Sequence, residues 1–245
     1  MRDLSFWATV YAIIAFLPAC DACLTSEQGD LTSAKQFNIC LVLDGTDRLS
    51  EENGVPCITN DELVGIAETL SQKGTGSLYV SYVDNNCDNN RIAIFEWMEN
   101  MPIAHVKKPD YMKMAEYKNL VFSDTENREA YDSRLALALG DFNRESNRIR
   151  EFAYSDAVAN QKKGSDVNGA INQACRLLRA SESGAQESFI ILVSDGCDNV
   201  GKKLEPLPHT TELIIVNTNV SKHQFNDAVS KEFVTLKQAV NYIFN

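Results

Sequence analysis

The chain reads as an α/β domain: a doubly wound, mostly parallel sheet with helices on both faces and one antiparallel edge strand. Three observations predict this. Two largely apolar runs of strand length, "FNICLVLD" (37–44) and "FIILVSDG" (189–196), each run into an aspartate. Runs without polar alternation suit strands buried on both faces, as in parallel sheets. Strand-like runs alternate with helical patterns, as strand–helix–strand crossovers require. Two early runs are joined by a short polar turn and form a hairpin.

Each element follows in order. After 37–44, Thr59 and Glu62 form a capping-box pattern, and Leu63, Ile66, Ala67 and Leu70 recur at helical spacing. "SLYVSYV" (77–83) is the second strand, "NNCDNN" the turn and "RIAIFEWM" the third strand. Residues 124–163 are charged, with an apolar stripe at Tyr131, Leu135, Ala138, Phe142, Ile149 and Phe152, the pattern of a long amphipathic helix. Gly140 costs that helix ~1 kcal/mol against Ala and leaves room for a kink or break. Val167, Ala170, Ile171, Ala174 and Leu178 mark a second helix, and 189–193 the next strand. "ELIIVN" (212–217) and a short strand at Phe233 precede a last helix, capped by Thr235 with Gln238 and packed through Leu236, Ala239, Val240 and Ile243.

Three polar clusters fall at the carboxyl edge of this sheet, where open α/β sheets bind ligands. They are Asp44-Gly45-Thr46-Asp47-Arg48, Gly164-Ser165-Asp166 and Ser194-Asp195-Gly196. Converging carboxylates and hydroxyls are the hard oxygen ligands that magnesium prefers. On these clusters the span 37–244 resembles the von Willebrand factor A (vWA) domain, with its metal-ion-dependent adhesion site. The resemblance implies that Asp44 stands for the family's first aspartate and Thr46 for its first serine. Ser165 stands for its threonine and Asp195 for its last aspartate. Arg48 occupies the place of the second serine, so the site is degenerate. The resemblance also makes the long helix an insertion at about 124–163.

Each residue has a plainer reading. Ser165 precedes a helix and can simply cap it. Asp195-Gly196 is a turn dipeptide, and Asp44 can cap the segment after its strand. Arg48 divides the readings further. Its guanidinium can supply the positive charge that magnesium otherwise brings. It can instead point to solvent while water completes a magnesium shell.

The chain has a formal net charge of −11 and no basic stripe, which argues against a nucleic-acid partner. With 44% apolar and 23% charged residues, it has the composition of an ordinary globular protein. Residues 4–19 carry no charge and follow Arg2, a span too short for a comfortable transmembrane helix but suited to a secretory signal. The segment ends in "LPAC", where Cys20 resembles the lipidated cysteine of a bacterial lipoprotein. An uncleaved anchor and cleavage near Ala22 are the alternatives. The expected organisation is a signal peptide or anchor over 1–22, a polar tether over 23–36 and a vWA-like domain over 37–245. The expected location is exported or membrane-anchored rather than cytoplasmic.

Seven cysteines are present. Cys40 and Cys175 fall on apolar faces and read as packed thiols. Cys57 and Cys87 each follow a strand at the ligand edge and are candidates for a disulfide. Cys20-x-x-Cys23 has no second pair and reads as coincidence.

Enzyme motifs are lacking. His105, His209 and His223 have no partner at ligand spacing, no phosphate-binding glycine loop occurs, and Ser194 lacks the Gly-x-Ser-x-Gly elbow. The expectation is a non-enzymatic, membrane-tethered module that captures another protein at the Asp44, Thr46, Ser165 and Asp195 edge, with magnesium as a candidate ion. The alternative is a structural component of a membrane-associated assembly, acting through the long helix while the metal site is vestigial. A hydrolase using Asp44 and Asp195 around a metal is a third reading.

Overall fold

A computed structural model describes residues 35–46, 54–102, 104–105, 107–155, 158, 164–180, 186–218, 225 and 228–245. The N-terminal segment with Cys20 and Cys23, nearly all of the 23–36 tether, and Arg48 lie outside the described residues.

The chain runs β1 (Gln36–Leu43), α1 (Asn60–Lys73), β2 (Thr75–Tyr82), a short 3-10 turn (Cys87–Asn89), β3 (Ala93–Trp97) and α2 (Met114–Ala153). It continues through α3 (Val167–Ala180), β4 (Gln186–Val193), β5 (Thr211–Val216), β6 (Val229–Phe233) and α4 (Leu236–Phe244). The six strands form one mixed sheet in the order β3-β2-β1-β4-β5-β6. Only β2 and β3 pair antiparallel; all other neighbours are parallel.

The apolar runs explain the two central strands. Phe37, Ile39, Leu41 and Leu43 of β1 join one core cluster with residues of α1, α2 and α4. Cys40 and Val42 join a second with Val167, Ala170, Ile171, Ala174 and Leu178 of α3. Consecutive strand residues point to opposite sides of a sheet, so a strand that feeds both clusters must be apolar at nearly every position. The capping boxes form as expected. Thr59 Oγ accepts the Glu62 amide at 3.3 Å, and Thr235 Oγ accepts the Gln238 amide at 3.3 Å.

The long helix differs from expectation at both ends, spanning Met114–Ala153 rather than 124–163. Its start is fixed by the Glu116 carboxylate, which accepts the Lys113 amide at 3.1 Å. None of its residues before Tyr131 is buried, so no apolar stripe marked that half in the sequence. Tyr131 is its first anchor, with the hydroxyl receiving the Trp97 indole N–H and donating to the Ser71 carbonyl, both at 3.2 Å. Phe142 packs edge-on against Phe95, with ring centroids 5.7 Å apart. The helix runs through Gly140 unbroken. Anchors on both sides of that glycine outweigh a propensity cost of ~1 kcal/mol. Phe152 departs from the expected stripe and is 44% exposed. Among the described residues, no helix is long and apolar enough to cross a membrane.

The proposed Cys57–Cys87 disulfide is not formed; both are free thiols. Cys87 is buried in the α3-side cluster and its thiol donates to the Asp166 carbonyl at 3.2 Å. Cys57 is exposed, and its neighbour Ile58 belongs to the other cluster. Cys40 and Cys175 are both buried thiols, as their apolar surroundings predicted.

Candidate functional site

Parallel register brings the first and third clusters of the edge together. Leu43 of β1 pairs with Val193 of β4, and the Asp44 amide donates to the Val193 carbonyl at 3.0 Å. The residues that follow each strand therefore emerge side by side. The Ser194 hydroxyl donates to Asp44 Oδ2 at 2.6 Å and in turn accepts the Gly196 amide at 2.9 Å.

On its other side, Asp44 Oδ1 accepts the Thr46 hydroxyl at 2.5 Å and the Thr46 amide at 3.0 Å. The Ser165 hydroxyl, 119 residues away in sequence, donates to Thr46 Oγ at 2.6 Å. Asp44, Thr46 and Ser165 thus share one hydrogen-bonded chain. Its geometry depends on Gly45, where an added Cβ would stand 1.8 Å from the Ala153 carbonyl oxygen. Only a glycine lets this loop lie so close to the end of α2.

Asp195 behaves differently from the other three. Half-buried, it accepts the Cys197 amide at 2.9 Å through Oδ1, a side-chain turn of the kind its Asp-Gly dipeptide suggests. Its charge nevertheless reaches Asp44 and helps raise that residue's pKa.

Asp44 is 2% exposed. Burial pushes its carboxyl up from 3.8 to about 6, against the opposing pull of the hydrogen bonds from Ser194 and Thr46, and Asp195 adds repulsion. Hydrogen bonds alone hold this carboxylate in its charged form among the described residues.

Ser165 does not cap α3. The next residue does: Asp166 Oδ1 accepts the Gly169 amide at 2.9 Å. A Cβ on Gly169 would meet that carboxylate at 2.1 Å, so the cap requires glycine there. Asp166 Oδ2 accepts the Cys87 amide at 3.0 Å and pairs with Lys202 Nζ at 2.7 Å. Lys202 also reaches Asp88 at 3.0 Å, and the hydrogen bond it donates to Asp166 leads the effects that raise its pKa. In the sequence Asp166 stood only as a member of its cluster with no role of its own, and Lys202 was missed. Two capping-competent residues stood next to one another, and nothing local tied Lys202 to either.

The remaining histidines add no ligand set. His105 lies on the surface with Nδ1 2.9 Å from Asp124, and His223 is outside the described residues. Among the described residues no three His, Cys, Asp or Glu side chains cluster as a metal centre. The edge residues offer another donor set, with carboxylate oxygen from Asp44 and hydroxyl oxygens from Thr46 and Ser165. A second carboxylate, Asp195, lies close enough to be felt. All are hard oxygens and fit magnesium in kind. No protein-family model matches the chain, and no curated protein is significantly similar to it.

Proposed function

We propose that the chain is a membrane-tethered, vWA-like binding module. In this reading it has helices on both faces of its sheet and captures a carboxylate of a partner protein at the carboxyl edge. One observation carries the reading: Ser165 and Ser194, each more than 100 residues away in sequence, join Asp44 and Thr46 in one hydrogen-bonded network beside Asp195. The feeding of two core clusters by alternate β1 residues supports the doubly wound arrangement. The uncharged run 4–19, with Cys20 at its end, supports the tether.

A partner carboxylate needs a positive charge at that edge. Magnesium held by Asp44, Thr46, Ser165 and Asp195 would act as a Lewis acid for it. The chain's own residues orient those oxygens and keep Asp44 out of water. Arg48 is the chain's candidate substitute for the ion toward the partner's carboxylate.

Calorimetric titration of magnesium into the natural protein and into Arg48→Ser tests the reading. Weak or no binding to the natural chain with clear binding to Arg48→Ser is expected, because the substitution restores the absent hydroxyl and removes the competing charge. Binding to both assigns the site to the ion alone. Binding to neither removes magnesium from the reading and leaves Asp195 as a turn residue.

The alternative, a structural component acting through the long helix, has its own observation. No residue of α2 before Tyr131 is buried, and Phe122 on it is 64% exposed. Charge substitutions along that half would abolish partner binding only under this second reading.

A further inference from the structure

A cleft of about 720 Å³ lies between the C-terminal half of α2 and the turn that links β2 to β3, and none of the edge residues lines it. Its floor is apolar, with Tyr82, Ile92, Ile149 and Phe152. The Tyr82 and Phe152 rings lie 4.8 Å apart at 56°. Phe152 is also the one residue of the expected apolar stripe that is strongly exposed, at 44%. The rim is polar, with Arg91 and Arg148 beside Glu145 and Asn89. Arg148 gives one guanidinium nitrogen to Glu145 at 2.7 Å. A guanidinium carries five donors, so most of its capacity stays open.

The chemistry of the cleft is specific. Among the residues that line it, two arginines against one glutamate leave a single positive charge, on a chain whose net charge is −11. A monoanion matches that balance, whereas a dianionic phosphate would meet Glu145 with a charge to spare. The planar fork of arginine fits a carboxylate. The exposed Phe152 ring offers an aromatic group an edge-to-face or offset partner. The volume lies within the ~300–1,000 Å³ usual for ligand pockets.

We infer that this cleft is a binding site for an aromatic monocarboxylate, its ring against Phe152 and Tyr82 and its carboxylate held by Arg91 and Arg148. The site is independent of the edge reading. Such a group occurs as a free small acid or as the C-terminal carboxylate of a peptide ending in phenylalanine.

Titration of the full-length protein with 2-naphthoate, its neutral amide 2-naphthamide, and acetyl-Gly-Ser-Gly-Phe with a free C-terminus tests this, followed by calorimetry and protein NMR. The acid is expected to bind at least about tenfold more tightly than the amide, since charge-assisted bonds are lost with the charge. Arg91→Gln and Arg148→Gln are each expected to weaken the acid by about fivefold or more, and Phe152→Ala by about tenfold. Arg144→Gln, on an arginine that pairs with Asp141 and does not line the cleft, should change nothing. Tighter binding of the peptide than of the acid identifies a partner's C-terminus as the source, and the reverse identifies a free acid. Equal binding of acid and amide, or indifference to both arginine substitutions, overturns the proposal. Because Arg91 and Arg148 are exposed, their variants keep the test valid even if Phe152→Ala proves unstable.

Discussion

Asp44 and Asp166 are two buried carboxylates at the same end of the sheet, and their surroundings are opposite. Asp166, fully buried, has a partner for every demand: two backbone amides and the Lys202 ammonium. Asp44 is nearly as buried but is met by two hydroxyls and an amide, and its carboxyl is raised to about 6. A buried charge is tolerated when it is paired and hydrogen-bonded. Asp166 meets that condition from within the fold and so does structural work. Asp44 meets it in part, and that deficit singles it out as the residue to which a cation would be worth most.

The largest expected effect separates the two directly. Asp166→Ala removes the α3 cap, strips an acceptor from the Cys87 amide and leaves Lys202 without its closest partner. Lys202 is about one-third exposed, so its share is discounted. The cap and the orphaned buried amide still bring the expected loss to about 3–5 kcal/mol. Asp44→Ala should cost about 1–2 kcal/mol, because the hydroxyls it frees can turn to other acceptors and an ionisation penalty disappears with it. Urea unfolding of both variants measures the gap. Equal losses would erase the distinction between a saturated and an unsaturated carboxylate.

The second effect is in pH. The folded pKa of Asp44 is about 6 against an ordinary 3.8. Between these values the folded chain holds a proton that the unfolded chain has released. Stability from this group is therefore complete below about pH 4 and is lost as pH rises through about 6. A rise from 3.8 to about 6 corresponds to about 3 kcal/mol in full. Other carboxylates titrate in the same window, so the comparison is with Asp44→Asn at each pH. The natural protein should gain about 2–3 kcal/mol relative to the variant between pH 7 and pH 4. A flat difference would show that Asp44 already has a cationic partner, for which Arg48 is the candidate. Under the proposed function, saturating magnesium should flatten the difference in Arg48→Ser.

The same contrast explains what could be seen in the sequence. β1 and β4 were legible because strands that feed two clusters are apolar at nearly every position, and their parallel register then places Asp44 beside Ser194. Thr46 was legible from its spacing to Asp44. The first half of α2 was not, because a helix that buries nothing has no stripe to find. Lys202 was not, because its pairing with Asp166 depends on a loop folding back over the start of α3. Cys57 and Cys87 looked alike in sequence, yet Cys87 is held under Asp166 by two hydrogen bonds while Cys57 is exposed. Residues that look alike in the sequence can thus have unrelated partners, and periodicity carries no information about which.

The smallest effect tests that last point where it is sharpest, at the adjacent pair Ser165 and Asp166. The serine was a candidate for the α3 cap, a position worth about 0.5–2 kcal/mol. In the structure its hydroxyl turns away from the helix and donates to Thr46 at 2.6 Å, while Asp166 takes the Gly169 amide. The serine backbone is held separately, its carbonyl accepting the Asn199 amide at 3.0 Å. Ser165→Ala should therefore remove one hydrogen bond between neutral groups, at about 1 kcal/mol, and leave the helix start intact. Amide exchange over the first turn of α3 should be unchanged in Ser165→Ala and accelerated in Asp166→Ala. Faster exchange in the serine variant would return Ser165 to the role of a cap and detach it from Asp44. Unchanged exchange together with weaker magnesium binding in the Arg48→Ser background would place its hydroxyl in the service of the edge.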